Sequence, residues 1–129
     1  MTLYMKDLFR QRSTQNLRAA ELLAEADLYD AAANRSYYAA FDAAFVACLH
    51  FGIAVAPDHA KVLSAFCGEM VARRKIFPAR IKTALYDLQR IRVQADYESK
   101  AVSKSQARHA IGIARTVLET IFTTVTPST

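Results

Sequence analysis

The sequence predicts an all-α fold, an up-and-down antiparallel bundle of four to five helices, and three observations support that expectation. Turn formers are scarce, with 3 Gly and 3 Pro in 129 residues, too few for an all-β sandwich that needs a turn signal about every 8–12 residues. Apolar residues make up 53% of the chain and recur at helical rather than alternating spacing. The rare punctuators Gly52, Pro57 and Pro78 fall between those stretches. A chain of this length is expected to form one domain over residues 1–129, with one core.

The first helix is expected over residues 3–27, with Leu8, Leu17, Ala20, Leu23 and Ala24 facing inward and a break near Ser13 and Thr14. Leu28-Tyr29-Asp30 reads as a turn, with Asp30 as the N-cap of a second helix over Ala31–Phe51. Gly52 supplies the stop, because glycine enters the left-handed C-terminal turn without penalty. Alanines 31–33, 39, 40, 43, 44 and 47 cover more than one face of this helix. Small side chains let backbones approach closely, so it is either the central core helix or part of a dimer seam.

Pro57 and Asp58 open a third helix over Asp58–Ala72, with Val62, Leu63, Phe66, Cys67 and Met70 at 3.6-residue spacing. Pro78 opens the fourth, on which Ile81, Leu85, Leu88 and Ala95 recur. Ser103 and Gln106 have the spacing of a capping box for the fifth. Its stripe is Ala107, Ala110, Ile111, Ala114, Leu118, Ile121, Phe122 and Val125, and Gly112 interrupts it at a cost of about 1 kcal/mol relative to Ala. Residues 126–129 are expected to fray. Long amphipathic helices joined by short loops must cover one another's apolar stripes, which is the reason for a bundle.

Charge adds a direction. Lys and Arg number 17 against 12 Asp and Glu, a net +5 that favours anionic partners. Up to Ala72 there are 6 basic and 8 acidic residues; beyond it there are 11 and 4. The excess lies in Arg73, Arg74, Lys75, Arg80, Lys82, Arg90, Arg92, Lys100, Lys104 and Arg108. It is either a solvated helix surface or a face that tracks phosphates.

Several classes drop out. The opening MTLYMKDLFRQR lacks the apolar core of a secretory leader, and the uncharged run 43–57 is shorter than the roughly 20 residues needed to span a bilayer. Cys48 and Cys67 sit in apolar runs and read as core thiols of a cytoplasmic protein without disulfides. No CxxC, HExxH, GxSxG or Gly-rich phosphate loop is present, so no metal or cofactor is expected.

Two segments bring polar groups onto common helix faces. Arg35, Tyr38 and Asp42 share one face, Arg92 and Asp96 are an i,i+4 pair, and Arg90 and Tyr97 are i,i+7. Guanidinium groups bind phosphate bidentately, and a carboxylate or phenol beside them sets their orientation. The same residues also suit structural ion pairs and core-edge tyrosines.

Segment 19–47, AAELLAEADLYDAAANRSYYAAFDAAFVA, resembles the opening of HEPN-domain proteins, with their D-Y-D-A-A turn and N-R-x-Y-Y-A-x-F-x-A-A helix. Residues Pro57 to Phe66, with His59, are similar to that family's third-helix opening, and RVQADY at 92–97 to its R-x-x-A-D-Y signature. The elements keep family order over about residues 17–125. The resemblance implies a helical bundle, usually a homodimer, in a toxin–antitoxin or defence system. Its implied ligand is RNA or nucleotide, and its implied partner a nucleotidyltransferase.

Catalytic members of that family are metal-independent endoribonucleases with an R-x4-6-H motif, in which His moves protons and Arg stabilises charge on phosphate. This chain lacks that spacing and has Asp42 where many relatives have His. Arg35, Asp42, Arg92, Asp96 and Tyr97 are the catalytic candidates. Tyr38, Arg73, Arg74, Lys75, Arg90, Lys100, Lys104 and Arg108 are the candidates for binding nucleic acid or nucleotide. Tyr97 is also the nearest analogue of a tyrosine that partners adenylylate in some members. Two readings stay open: an RNA-targeting toxin, catalytic or degenerate, and a non-catalytic module that binds nucleotide or a nucleotidyltransferase.

Overall fold

The computed structural model describes residues 2–127; positions 128 and 129 of the expected frayed tail lie outside them. The elements are α1 (Thr2–Glu25), α2 (Tyr29–His50), α3 (His59–Ala65), which continues into a π-helical segment (Phe66–Arg73), α4 (Ala79–Tyr97) and α5 (Lys104–Thr124). All regular structure among the described residues is helical, as expected.

α2 is the axis of the bundle, packed by α1, α5, α4 and α3. Its alanines 32, 33, 39, 40, 43, 44 and 47 are all 1% exposed or less, so here their small size serves close approach within one chain. α1 runs antiparallel to α2: Lys6 Nζ reaches His50 Nδ1, Ser13 Oγ donates to the Ala39 carbonyl, and Asn16 contacts Asp42. α5 closes the other side, where Arg10 lies 4.2 Å from the Phe122 ring centre and Arg115 pairs with Glu21. Aromatic packing joins the layers, with Phe9 against Phe45 at 4.7 Å and Phe66 stacked on Phe77 at 5.3 Å. No helix among the described residues is long and apolar enough to cross a membrane.

The punctuation largely acts as expected. Gly52 has φ +74°, and Ile53 N–H returns to the Cys48 carbonyl at 2.9 Å in a Schellman turn. Asp27, at φ +61°, ends α1 in the same manner, with Leu28 N–H bonded to the Leu23 carbonyl. Ser103 and Gln106 form the capping box of α5.

Three expectations are corrected. α1 is unbroken at Ser13 and Thr14, because Ser13 satisfies its buried hydroxyl on α2 and Thr14 bonds back to the Gln11 carbonyl. Asp30 is not the N-cap of α2; Leu28 holds that position without a side-chain bond, and Asp30 accepts Val102 N–H at 2.8 Å, tying down the α4–α5 loop. The third helix is α-helical only to Ala65.

The last change follows from the apolar spacing. Buried pairs 62/63, 66/67 and 70/71 repeat every four residues, and an α-helix rotates such a repeat off the core by about 40° each time. The wider π geometry, visible in the Arg74 N–H bond to the Glu69 carbonyl, takes up that drift.

Candidate functional site

The polar face lies where the first half of α2 meets the C-terminal half of α4 and the start of α3. Arg92 is its centre, a guanidinium largely buried on α4 with a side chain 16% exposed. Three tyrosine rings surround it: Tyr37 at 5.3 Å, Tyr97 at 5.5 Å and Tyr38 at 5.9 Å from their centres. Arg92 Nε lies 3.1 Å from Asp96 Oδ2, yet off the line a hydrogen bond requires. Among the described residues this buried Nε–H has no acceptor, and an unsatisfied charged donor of this kind is costly. Burial opposes the charge, but Tyr38, Tyr97 and Asp96 outweigh it and raise the Arg92 pKa.

Arg35 faces the same tyrosine from α2, 4.7 Å from the Tyr38 ring centre. Two asparagines hold it. Its Nε and Nη2 donate to Asn34 Oδ1 at 3.0 and 2.6 Å, and its Nη1 donates to Asn16 Oδ1 at 3.1 Å. Asn34 Nδ2 donates to both carboxylate oxygens of Asp96, and Asn16 Nδ2 to Asp42 Oδ2. One connected network therefore runs Asp42–Asn16–Arg35–Asn34–Asp96 and joins α1, α2 and α4.

His59 completes the face. Asp58 caps α3 by accepting Lys61 N–H at 3.0 Å, which sets the ring of His59 against Phe41, Tyr38 and Tyr37 at 4.5, 5.0 and 5.4 Å. Its Nδ1 is 3.3 Å from Tyr37 Oη. Burial and the nearby Arg92 charge lower the His59 pKa against the pull of Asp58, so the imidazole is neutral at pH 7. Burial pushes Tyr37 up to about 12 despite Arg92, and the phenol keeps its proton.

Of the catalytic candidates, Arg35, Arg92, Asp96 and Tyr97 meet on this face, together with Tyr38; Asp42 joins through Asn16. Asp42 departs from an ordinary carboxylate. Burial raises its pKa to about 6, against the opposing effects of Asn16, Arg12 and Arg35, so it holds a proton under mildly acidic conditions.

The binding candidates are more dispersed. Arg90 does not pair with Tyr97, which lies two turns and about 10 Å further along α4; it turns to Asp87, one turn back, at 3.8 Å. Arg73 and Arg74 pair with Glu69, and with Lys75 they lie at the far end of α4, roughly 20 Å along its axis from Arg92. Lys100, Lys104 and Arg108 are exposed on the α4–α5 loop and the first turns of α5.

Sequence reasoning did not place His59, Asn16, Asn34 or Tyr37 in the site. His59 had a signal, its position at the opening of the third helix. Asn16 had none, since nothing local ties it to Arg35 and Asp42, 19 and 26 residues away.

Comparison with known proteins agrees with this architecture. A family model described as HEPN domain matches residues 6–123. The chain is also 35% identical over 97 residues to a UPF0332 protein of Gloeobacter violaceus, covering 75% of each.

Proposed function

Because this chain belongs to the HEPN-domain family, we propose that it is an RNA-targeting, toxin-like component of a toxin–antitoxin or defence system, acting as a metal-independent endoribonuclease. The observation that carries this reading is the largely buried Arg92 guanidinium, ringed by three tyrosines and set beside a neutral histidine. A guanidinium suits phosphate geometry, and the part of the Arg92 side chain that stays exposed, 16%, is where a phosphate oxygen approaches. The exposed ring of Tyr97 offers a surface on which an unpaired base stacks.

The chemistry follows from the groups present. In the tautomer that donates Nδ1–H to Tyr37 Oη, across their 3.3 Å contact, His59 Nε2 has a lone pair to take the ribose 2′-OH proton. The 2′-oxygen then forms a bond to phosphorus, the P–O5′ bond breaks, and the proton passes to the departing 5′-oxygen. The products are a 2′,3′-cyclic phosphate and a 5′-hydroxyl. Arg92 stabilises charge on the phosphate oxygens as they gain it. The partners that go with this reading are a second copy of the chain and a nucleotidyltransferase that restrains it, in the cytoplasm.

The test is cleavage of single-stranded RNA by the purified chain. His59→Ala is expected to lower the rate by about 10²–10⁴-fold, and Arg92→Ala to abolish both binding and the growth arrest caused by expression. RNA left intact and unbound by the wild type overturns the proposal. A second reading has its own support: Arg92 and His59 stand on different helices, without the R-x4-6-H spacing. RNA or nucleotide bound but never cut, with a nucleotidyltransferase co-purifying, identifies the non-catalytic module.

A further inference from the structure

We propose that Asn16 and Asn34 are positioning residues: they orient Arg35 through neutral amide oxygens while occupying Asp42 and Asp96, so that the charge of Arg35 stays available for an RNA phosphate. This rests on the RNA-binding reading above. Arg35 lies in a network containing two carboxylates and touches neither. Each asparagine stands between an acid and the guanidinium, with its Oδ1 toward Arg35 and its Nδ2 toward the acid. The opposite amide orientation would set donor against donor and acceptor against acceptor, so the network itself decides the assignment.

The electrostatic result differs from that of an ordinary ion-pair cluster. A guanidinium held by carboxylates is neutralised where it stands; one held by amide oxygens is oriented and keeps its full charge. Asn34 acts on the second arginine as well. By binding both oxygens of Asp96 at 2.9 and 3.1 Å, it holds that carboxylate in place, 3.1 Å from Arg92 Nε, as the ion-pair partner of Arg92 and not of Arg35. Arg35, 4.7 Å from the ring centre of Tyr38, is thus the guanidinium of this face that no carboxylate pairs, while Arg92 on the other side of that ring, at 5.9 Å, keeps Asp96 as its counter-charge.

The experiment measures the Kd of a labelled single-stranded 2′-O-methyl RNA, which lacks the 2′-OH needed for cleavage, across about 50–300 mM NaCl. Each phosphate neutralised on a single strand contributes about 0.7 to the slope of log K against log salt. Asn34→Asp gives Arg35 a direct carboxylate, so the slope should fall by about 0.7 and low-salt Kd should rise about 10-fold. Asn16→Asp neutralises Arg35 from α1 and should lower the slope by about 0.7 as well. Thermal melting separates this from a merely structural role, which lowers Tm and leaves the slope unchanged.

Parallel salt plots for the wild type and both variants overturn the proposal while the RNA-binding reading stands. Should neither variant fold, Arg35→Gln provides the same measurement, and an unchanged slope there overturns it equally. If the wild type binds no RNA, the functional reading fails and this one fails with it.

Discussion

Replacing Asp42 by Asn tests the electrostatics of the α1–α2 contact directly. Asp42 is 5% exposed, and burial moves its pKa from 3.8 to about 6. The folded state therefore binds this proton more tightly than the unfolded chain does. Its stabilising effect is fully present below pH 3.8 and is lost as pH rises through about 6. A shift of about two units corresponds to about 3 kcal/mol of destabilisation at neutrality, of which about 2 kcal/mol develops between pH 4.5 and 7.5.

Asn at position 42 keeps an oxygen to accept from Asn16 and has no charge to bury. Asp42→Asn should accordingly be more stable than the wild type by about 2–3 kcal/mol at pH 7.5, with that gain shrinking by about 2 kcal/mol at pH 4.5. Urea titrations at the two pH values read both numbers as shifts in midpoint at constant slope. A difference between the proteins that stays flat with pH would falsify the assignment of a buried, proton-binding carboxyl.

Two further expectations concern the helix ends and glycines. A Cβ at Gly112 meets nothing within 4 Å, whereas Gly52 holds φ +74°; Gly112→Ala should therefore stabilise by about 1 kcal/mol and Gly52→Ala destabilise by about 1–2 kcal/mol in denaturant melts. Equal signs for the two would contradict the backbone reading. Ser103→Ala removes the side chain that accepts Gln106 N–H and should cost about 1 kcal/mol; an unchanged melting temperature would show that the box adds nothing to α5.

The bundle was legible because each helix carries its own stripe and stop signals in local order: Gly52, Pro78, the Ser103 box, and the apolar series from Ala107 to Val125. Where expectation and structure part, a contact distant in sequence decides. Asp30 looks like a cap when read beside its neighbours, but the Val102 amide lies 72 residues away. Ser13 looks like a break until the Ala39 carbonyl faces it.

The site was legible to the same degree. Arg35 and Tyr38, and Arg92 and Asp96, share helix faces that spacing reveals. The contributions of His59 and the two asparagines depend on which helices pack together. The π segment was visible in principle, since a strict four-residue repeat of buried pairs does not fit 3.6 residues per turn.

The burial of α2 on all sides from Ala39 to Cys48 also shapes how such a chain can diverge. The alanines at positions 39, 40, 43, 44 and 47 are fully buried, and overpacking such a site typically costs about 1–3 kcal/mol. Substitutions on this helix are filtered by stability before chemistry is tested at all. The same helix carries Asn34, Arg35, Tyr37, Tyr38 and Asp42, so half of the polar face is anchored to the least adaptable backbone in the molecule. New specificities should arise instead on the surrounding rim, at the start of α3 and the exposed end of α4, where side chains such as Tyr97 can change without disturbing the axis.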